Sequence, residues 1–520
     1  MSKRSKVTPA TKRQRTTAIP TFGAATDDDL INLVSSQRNA PSASVLSHRT
    51  LPITDSMPSL TVLCARVFVS NIRILARNRD DWEHTRSWLK LLPDSIITRV
   101  FAMLRSSCPT ILGHAFITAY FFRGSSITLT SELLGVERTT ISAIAKVDSL
   151  RELHLIGFEK FADTVYAAVL PSLPSLHVLV LRGCAKVGPK TVEAAAKSCP
   201  LLTTVNLSYT AVPPISLAPL LAACPQLQVL KVAGISTWTD TTFSKLLFSI
   251  GPDLKLEHMH TLKFRQNALS EASIYPFLSL CLNVRRLDIS FTLVHRSLSS
   301  TTLPLINLEK LSLTSTMVSS VDIVALMPHL SNLKKLSIGA LGGGQGSAVS
   351  IGNTSAMTMS DQTLQALTDI LESFERLEDV NLVGNTKLGI TSRGNGALSD
   401  FFRRVGRRCI SLNLSGVQYL RSQDLAGLFT DTTQQSPPKL ETLILNNTGV
   451  DDEAAPFLSC CSFLTTLELA GTKITDEGLF PIIDACPRLS KLDLTSCRGI
   501  NVVDRRRFFE VWEENKRQND

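Results

Sequence analysis

The side chains best suited to chemistry in this 520-residue sequence are its histidines, cysteines and adjacent carboxylates. His258 and His260 form a His-x-His pair that can bind a metal ion, but no third ligand stands near them in the sequence. Asp451 and Asp452 follow a predicted strand, where helix capping accounts for them. No G-x-S-x-G, H-E-x-x-H or Walker-type motif occurs. We therefore expect that the protein is not an enzyme and holds neither a metal ion nor a cofactor.

The 11 cysteines follow a regular spacing. No C-x-x-C pair is present, and the adjacent pair Cys460 and Cys461 does not have the spacing of a zinc site. Seven cysteines keep fixed distances from a recurring apolar pattern: Cys199, Cys224, Cys281, Cys461 and Cys486 lie three residues before it, and Cys184 and Cys497 lie eight residues after its start. Equivalent positions predict small buried thiols that pack one repeat on the next. Reduced thiols in this number indicate the nucleus or the cytoplasm.

The recurring pattern is apolar-x-x-apolar-x-apolar, and it occurs thirteen times. Its first residues are Leu150, Leu176, Leu202, Leu227, Met259, Val284, Leu308, Leu333, Leu377, Cys409, Leu440, Leu464 and Leu489. Eight of the twelve intervals are 24 to 26 residues long, and the others are 31, 32, 32 and 44. A repeat of this period and pattern is typical of leucine-rich-repeat proteins.

One repeat predicts the elements that position every other residue. In the unit from Leu464 to Pro487, Leu467 and Leu469 alternate with polar residues as in a half-buried strand, and Thr475 or Asp476 can cap a following helix. Neither element buries its apolar side alone, so neighbouring repeats must stack. The sequence therefore predicts an α/β leucine-rich-repeat horseshoe solenoid of about 13 repeats over residues 147–503. Parallel strands would form its concave face.

The ends of the chain differ from the repeats. The net charge is +9, and six cations without any acid fall within the first 15 residues: Lys3, Arg4, Lys6, Lys12, Arg13 and Arg15. They predict a nuclear import signal on a disordered basic tail, residues 1–55, although a solvated arm is the alternative. No signal peptide is expected, because the first 20 residues are polar and basic without an apolar run. No membrane span is expected, because prolines interrupt the uncharged stretches 106–122 and 198–230. Residues 504–520 should form a C-terminal capping helix.

Residues 56–134 have a helical pattern and no repeat. The segment LLPDSIITRVFAML resembles the opening of an F-box, the helical motif that docks on the adaptor of cullin-based ubiquitin ligases. The resemblance implies an adaptor contact through Leu92, Pro93, Ile96, Ile97, Val100 and Phe101, and hence an adaptor and a cullin as partners. The tryptophan usual in the second half of an F-box is missing. The alternative is that these helices only cap the solenoid.

Two other segments also resemble known families. The repeats, with their Cys-Pro steps and the run ITDEGL from Ile474, are similar to the cysteine-containing, RNI-like subtype found in F-box/leucine-rich-repeat proteins. The run SLTVLCARVFVSNI from Ser59 resembles the start of the fungal leucine-rich-repeat subunit of nucleotide-excision repair. These resemblances imply a substrate-recognition subunit of an SCF-like ubiquitin ligase. A non-ligase scaffold and a DNA-repair damage-recognition subunit are the alternatives.

The outward positions of the predicted concave sheet are basic in its middle. Lys231, Lys263, Arg265, Arg286, Lys310 and Lys335 occupy such positions in five successive frames. Lys and Arg form charge-assisted hydrogen bonds with carboxylate and phosphate, so we expect an acidic or phosphorylated protein substrate there. The alternative is a solvated polar face.

Two further segments complete the pattern. The Gly/Ser-rich stretch from Ala340 to Ser360 predicts a surface loop, since it lacks the ending of a phosphate-binding loop. Phe401 to Arg408 places four arginines beside two aromatics on a predicted outer helix. We interpret that segment as an exposed helix face, and its contact with nucleic acid or with an acidic partner is the alternative. For the protein as a whole we expect no nucleic-acid partner.

Overall fold

The computed structural model describes residues 48–50, 59–251, 253–296, 307–342, 359–391, 396–429 and 436–501. The import residues Lys3 to Arg15 and the predicted capping helix at 504–520 lie outside these ranges, as does most of the predicted loop after Ala340. Within the described ranges, every helix falls short of the length and apolar content needed to cross a membrane.

Fifteen strands form one sheet in these ranges. They are β1 His48–Thr50, β2 Ser126–Thr130, β3 Glu152–Ile156, β4 Val178–Val180, β5 Thr204–Asn206, β6 Val229–Lys231, β7 Thr261–Lys263, β8 Arg286–Asp288, β9 Lys310–Ser312, β10 Lys335–Ser337, β11 Asp379–Asn381, β12 Ser411–Asn413, β13 Thr442–Ile444, β14 Thr466–Glu468 and β15 Lys491–Asp493. From β2 to β15 each strand pairs in parallel with the next strand in the chain. β1 adds to β15 in antiparallel orientation, and the sheet does not close.

α-Helices occupy most of the described connections between strands. They are α1 Leu60–Leu75, α2 Arg79–Leu91, α3 Asp94–Ser107, α4 His114–Tyr120, α5 Arg138–Ala143, α6 Asp163–Ala167, α7 Pro189–Ser198, α8 Leu217–Ala223, α9 Asp240–Ile250, α10 Glu271–Ser279, α11 Ser320–Leu326, α12 Asp361–Leu371, α13 Ala397–Arg404, α14 Ala455–Leu458 and α15 Asp476–Ala485. Several connections also contain a short 3-10 helix, such as Ser422–Leu428. The first four helices precede β2 and form the N-terminal helical module.

The thirteen predicted frames are the strands β3 to β15, which confirms the leucine-rich-repeat fold. Each of these strands begins two residues after its frame, and the three apolar residues of every frame are at most 5% exposed. Apolar residues at the alternate positions of a strand share one face, so each frame buries its own strand against the helical layer. The core therefore runs along the whole series of repeats.

One further strand corrects the sequence prediction. Residues 56–134 were expected to be helical, but β2 lies within them and pairs with β3 along five residues. Its buried residues Ile127 and Leu129 match the second and third apolar positions of a frame. The first position is Gly124 instead of a leucine, so the pattern fails there. The repeats therefore begin one unit earlier than predicted.

A second ladder of hydrogen bonds follows the strands. The residue seven places after each frame start has a positive φ in all thirteen frames: Gly157, Gly183, Tyr209, Gly234, Gln266, Phe291, Ser315, Ala340, Gly384, Gly416, Asn447, Gly471 and Ser496. In all but the last of these, the backbone N–H donates to a carbonyl of the next repeat; from Tyr209 to Ala233, for example, the distance is 2.8 Å. Glycine is favoured at this position because it adopts a positive φ without strain.

The outer layer is tied together by side chains that reach from one repeat to the next. Four aspartates near a helix start accept hydrogen bonds from the backbone at the start of the following helix or turn: Asp163 from Gly188, Asp240 from Ser270, Asp361 from Gly389 and Asp452 from Thr475. These contacts satisfy donors that a helix start leaves unpaired. Cys224 acts similarly, since its thiol donates to the carbonyl of Cys199 at 3.4 Å.

Candidate functional site

The exposed face of the sheet presents three rows of side chains, at positions two, four and six after each frame start. Strand register places row members side by side: Arg286 opposes Lys310, which opposes Lys335. In the second row Lys231 opposes Lys263. Because neighbouring strands lie about 4.8 Å apart, each row brings its cations close together. The six predicted residues Lys231, Lys263, Arg265, Arg286, Lys310 and Lys335 thus form one basic patch.

Acidic residues mark the limits of the basic patch. Asp379 on β11 follows Lys335 in the first row, and their side chains form an ion pair at 3.5 Å. Asp288 stands beside Lys263 in the second row and is buried. Its carboxylate accepts the N–H of Ser290 at 3.1 Å, so it also fixes the turn after β8. The patch is therefore a bounded area and not a continuous cationic groove.

His260 lies at the edge of the basic patch. Burial lowers the pKa of its imidazole, and the nearby charges of Arg285 and Arg286 lower it further. Its ring nitrogens lie 3.0 Å from the Thr261 hydroxyl and 3.3 Å from the Gln228 side chain. The ring is therefore held neutral by its surroundings at neutral pH, and these two contacts explain it without a metal ion.

Residues that the sequence reasoning missed border the basic patch. The guanidinium of Arg265 lies 4.8 Å from the ring centre of Phe291, and its Nε is buried without a hydrogen-bond partner in the described chain. The hydroxyl of Tyr209 lies 3.1 Å from the side-chain oxygen of Gln266. We call Tyr209, Gln266 and Phe291 the aromatic ridge. Its signal in the sequence is its position, seven residues after a frame start.

The C-terminal strands of the same face carry compensated charges. The carboxylate of Glu468 on β14 accepts a hydrogen bond from the Lys491 ammonium at 2.6 Å and from the Asn446 amide at 2.9 Å. The Asp493 carboxylate on β15 accepts the Thr495 N–H at 2.9 Å. These acids hold neighbouring strands and turns together, so the field along the face changes from positive to mixed.

The predicted adaptor residues divide into two groups. Ile97, Val100 and Phe101 are 1%, 2% and 8% exposed, because this face of α3 packs inside the helical module. Their burial leaves them little surface to offer an adaptor. Leu92 and Ile96 are partly buried and Pro93 is exposed, so the predicted contact falls on the turn between α2 and α3.

Arg123 fixes the turn between α2 and α3. Its guanidinium donates to the carbonyls of Leu89, Lys90 and Leu92 at 3.0, 2.7 and 2.6 Å. It also lies 3.5 Å from the Asp94 carboxylate at the start of α3. One side chain therefore holds the end of one helix and the beginning of the next, and it preorganises the Leu92–Pro93 turn.

Helix α1 has apolar residues on two faces. Ala65, Val69 and Ile72 are buried in the helical module, whereas a second series on the opposite side is exposed. That series is Leu60, Leu63, Val67 and Ile74, with exposed fractions of 76%, 39%, 63% and 62%. Their spacing places them along one stripe of the helix. We call these four residues the α1 stripe; it is an apolar surface of the kind that contacts other proteins.

The arginine-rich segment at Phe401 to Arg408 is used within the fold. Phe401 and Phe402 are fully buried, and the Arg404 guanidinium contacts the carboxylates of Asp369, Glu372 and Asp400. Arg408 donates to the backbone carbonyl of Glu372 at 2.9 Å. These contacts tie α13 to α12, so the cations of the segment balance acids of the neighbouring repeat.

The other chemically suggestive residues also have structural contacts. Asp451 accepts the Ser422 hydroxyl at 2.6 Å, and Asp452 accepts the Thr475 N–H at 2.7 Å. Burial raises the pKa of the Cys199 thiol to about 12 and that of Cys224 to about 11, so both stay protonated. In the described part of the chain, no three His, Cys, Asp or Glu side chains are grouped as a metal site requires.

Comparison with protein families agrees with the repeat assignment. Residues 140–250 match a family model described as the LRR repeats of an FBD-associated F-box protein, and residues 460–482 match a leucine-rich-repeat model. A protein named F-box/LRR-repeat protein 23 of Arabidopsis thaliana is 38% identical over 96 residues, which are 16% of this chain and 21% of that protein. The predicted resemblance to F-box/leucine-rich-repeat proteins is therefore confirmed in the repeats.

Other similar proteins span more of the fold. Antagonist of mitotic exit network protein 1 of Eremothecium gossypii is 32% identical over 148 residues, 26% of this chain and 36% of that protein. The chain thus spans only about a fifth and about a third of these two curated relatives. The crystal structure of the Rad7 and Elc1 complex in yeast has 15% identity and a TM-score of 0.43, with 82% of this chain and 96% of that chain covered. An internalin from Listeria monocytogenes has 14% identity and a TM-score of 0.37, with 76% and 94% covered.

Proposed function

We propose that this protein is a substrate-recognition subunit of a cullin-type, SCF-like ubiquitin ligase. The helical module would bind the adaptor, which connects to the cullin, and the basic patch would hold an acidic or phosphorylated segment of the protein to be degraded. The protein itself would supply binding and no catalysis. The observation that carries the proposal is the basic patch, where strand register stacks cations side by side on an exposed face.

The basic patch supports binding of an anion because it repeats one sign of charge on successive strands. Like charges directly opposite one another on neighbouring strands destabilise a sheet. Arg286, Lys310 and Lys335 occupy three successive members of one row, and Lys335 lies beside Asp379 only at the end of that row. A bound carboxylate or phosphate would offset this repulsion through charge-assisted hydrogen bonds.

Two surfaces of the helical module support adaptor binding. The Leu92–Pro93 turn is held in place by Arg123, and the α1 stripe exposes four apolar side chains. An adaptor that covered the stripe would remove these side chains from water, which is the main favourable term in most protein association. Both surfaces belong to one module, so one adaptor can contact either of them or both.

Co-purification with an adaptor–cullin complex tests the adaptor contact. We expect the wild-type chain to retain the adaptor, and Leu63→Asp with Val67→Asp to release it, because a charge in an apolar interface is costly. Leu92→Ala with Pro93→Ala tests the turn separately. Phe248→Asp is the matched control, since Phe248 is 92% exposed on α9, away from the module. Failure of the wild-type chain to retain the adaptor would favour a scaffold without a ligase.

The substrate face has its own test. Changing Lys263, Arg265 and Arg286 to Glu should abolish binding of acidic and phosphorylated peptides and leave adaptor retention unchanged. Fluorescence anisotropy with labelled peptides at low salt measures this directly. Equal affinity of the wild-type and the triple variant at low salt would contradict the proposed use of the face.

The proposed compartment is the nucleus, and the protein would be in the cytoplasm before it is imported. The proposal is supported by the six cations between Lys3 and Arg15, which have the composition of an import signal. Replacing these six residues with Ala in a fluorescent fusion should move the protein from nucleus to cytoplasm. An unchanged nuclear signal would mean that these residues do not direct import.

A further inference from the structure

The residues of the aromatic ridge have a positive φ, a backbone conformation that residues other than glycine rarely adopt. Six of the thirteen equivalent positions hold glycine, which adopts a positive φ without strain. Tyr209 and Phe291 have φ values of +59° and +58°, which bring Cβ too close to the following carbonyl oxygen. Glycine would make the same inter-repeat hydrogen bond, so the fold does not require an aromatic side chain there. Strained residues of this kind concentrate at binding sites.

The side chains of the ridge are fixed by specific neighbours. A Cβ on Gly234 would lie 2.2 Å from the Tyr209 ring, so the ring occupies space that only glycine leaves open. The Tyr209 hydroxyl reaches across this glycine to Gln266 at 3.1 Å, and the residue remains 39% exposed. The ridge thus presents to solvent an aromatic surface that is already ordered before a ligand binds.

Arg265 joins the ridge to the basic patch. It stands two residues after Lys263 on the same face, about 7 Å away along the chain, and its guanidinium rests on the ring of Phe291. The contact with Phe291 holds the guanidinium plane in one orientation. An anion on the patch therefore lies next to aromatic surface, and the two are presented together.

We infer that the ridge is a specificity subsite for an aromatic side chain that neighbours the acidic or phosphorylated residues of the bound protein segment. The inference rests on the proposed binding of an anionic segment by the basic patch. The anionic residues contact Lys231, Lys263 and Arg265, while the aromatic side chain stacks on Tyr209 and on the Arg265–Phe291 pair. Offset aromatic pairs and cation–π contacts of this kind together give a preference of about tenfold.

A protein segment fits this site better than a nucleic acid. Single-stranded nucleic acid also combines stacking with phosphate contacts, but it needs a groove that stays positive along the backbone. Here Asp288 lies in the same row as Lys231 and Lys263, and Asp379 closes the first row. A short anionic peptide segment with one aromatic side chain fits the basic area that Asp288 and Asp379 bound.

Fluorescence anisotropy with degenerate acidic peptide pools tests the inference. One pool carries a fixed Trp or Phe next to a phosphoserine or to two glutamates, and the matched pools carry Leu or Ala at that position. We expect the wild-type chain to bind the aromatic pool about tenfold more tightly than the matched pools. Equal binding of the aromatic and aliphatic pools would overturn the inference and leave the proposed anion-binding face intact.

Variants separate the ridge from the charge. Tyr209→Gly and Phe291→Gly should weaken binding of the aromatic pool more than binding of the Ala pool, and thereby remove the aromatic preference, because glycine suits the backbone there. Phe291→Leu removes the aromatic ring but keeps an apolar side chain, so it is the alternative if Phe291→Gly does not fold. Arg265→Lys keeps the positive charge but removes the planar guanidinium. Ser496→Gly is the matched control at the same repeat position, far along the sheet.

Three outcomes contradict the inference. Variants that keep the aromatic preference would show that the ridge does not read the ligand. Tighter binding of an oligothymidine than of any peptide pool would make the face a nucleic-acid surface. Failure of every acidic pool to bind would overturn the proposed substrate face as well, and retention of the adaptor in the separate co-purification would show whether the ligase role survives.

Discussion

The middle and the C-terminal strands of the exposed sheet face both carry charges, but they use them differently. On β14 and β15, Glu468 and Lys491 are opposite in sign and form an ion pair at 2.6 Å. On β8 to β10, Arg286, Lys310 and Lys335 have the same sign at the same row position. Alternating charges stabilise neighbouring strands and repeated charges oppose their pairing. Charges on this face therefore alternate in sign and form an ion pair in one region, and repeat the same sign along one row in the other.

Backbone strain follows the same division. Four successive repeats in the middle place a residue other than glycine at the positive-φ position: Gln266, Phe291, Ser315 and Ala340. The last three repeats hold Asn447, Gly471 and Ser496 there, and asparagine and glycine tolerate this conformation best. The middle of the sheet is thus less favourable for folding in both charge and backbone, which is expected of a surface selected for a ligand.

The largest effect should come from reversing one row of the middle region. Arg286→Glu, Lys310→Glu and Lys335→Glu together should weaken binding of acidic peptides by on the order of 100-fold or more, because three attractive charges become repulsive. The loss should shrink as salt is raised from 50 mM to 500 mM. Isothermal titration calorimetry measures the affinity, and urea unfolding verifies the fold.

A matched variant in the C-terminal region tests the contrast. Asp493→Lys changes a charge of the same face but outside the basic patch, so acidic peptides should bind as they do to the wild-type chain or slightly more tightly. A similar loss of affinity from both variants would mean that binding follows net charge alone and that the two regions are equivalent.

The next largest effect concerns stability. Glu468→Ala removes the carboxylate that accepts hydrogen bonds from Lys491 and Asn446, and it should lower the free energy of unfolding by about 1–2 kcal/mol. Lys335→Ala, at a side chain 41% exposed, should change it by less than about 0.5 kcal/mol. Urea unfolding followed by circular dichroism compares them. A larger loss from Lys335→Ala would reverse the assigned roles of the two regions.

The sequence predicted the repeats well because leucine-type residues at fixed intervals have one stable arrangement. All thirteen frames became parallel strands with buried apolar positions. It missed β2, since Gly124 occupies the leucine position of that frame. It also missed the aromatic ridge. The positive-φ position holds Gly, Tyr, Gln, Phe, Ser, Ala or Asn in different repeats, so the shared backbone conformation does not appear as a shared residue type.

Candidate site residues on the strands could be predicted, because alternate residues of a strand lie on opposite faces of the sheet. Alternation placed the basic patch on the outward face. Helices with two apolar faces are different, because periodicity does not say which face meets the core. The stripe of Ile97, Val100 and Phe101 in α3 turned inward, whereas Leu60 and Val67 of α1 turned outward. Such a choice depends on tertiary packing and could not be read from spacing.

Relief of backbone strain gives a smaller and opposite effect. Ser315 has φ +53°, is fully buried, and its hydroxyl has no hydrogen-bond partner in the described chain. Ser315→Gly removes both costs and should raise the free energy of unfolding by about 1 kcal/mol. Ser496→Gly, at an exposed hydroxyl, relieves only the backbone and should raise it by less. Thermal unfolding of both variants compares the two increases in stability. An equal increase would show that the backbone strain is uniform along the sheet.

The smallest expected effect is the part of the pH dependence that comes from histidines, which belongs to the first half of the repeats. Burial lowers the pKa of His154 and of His260 in the folded protein, and nearby cations lower it further in both cases. The unfolded chain therefore binds protons more readily, so stability is complete above about pH 6.5 and decreases as pH falls from there towards the folded pKa values. No histidine follows His329 in the sequence, so the C-terminal repeats have no such group.

A local fluorescence probe can test whether this pH dependence acts on the first half of the repeats. Trp238 is fully buried beside Phe243 and Phe264, between β6 and β7. With the other three tryptophans changed to Phe, its emission should report urea unfolding of these repeats. The urea concentration at the unfolding midpoint should decrease when the pH is lowered from 7.5 to 5.5. His154→Gln with His260→Gln should make this decrease smaller, because neither side chain then takes up a proton. An identical fall in the double variant would assign it to carboxylates, and the histidines would then contribute nothing to the difference between the two regions.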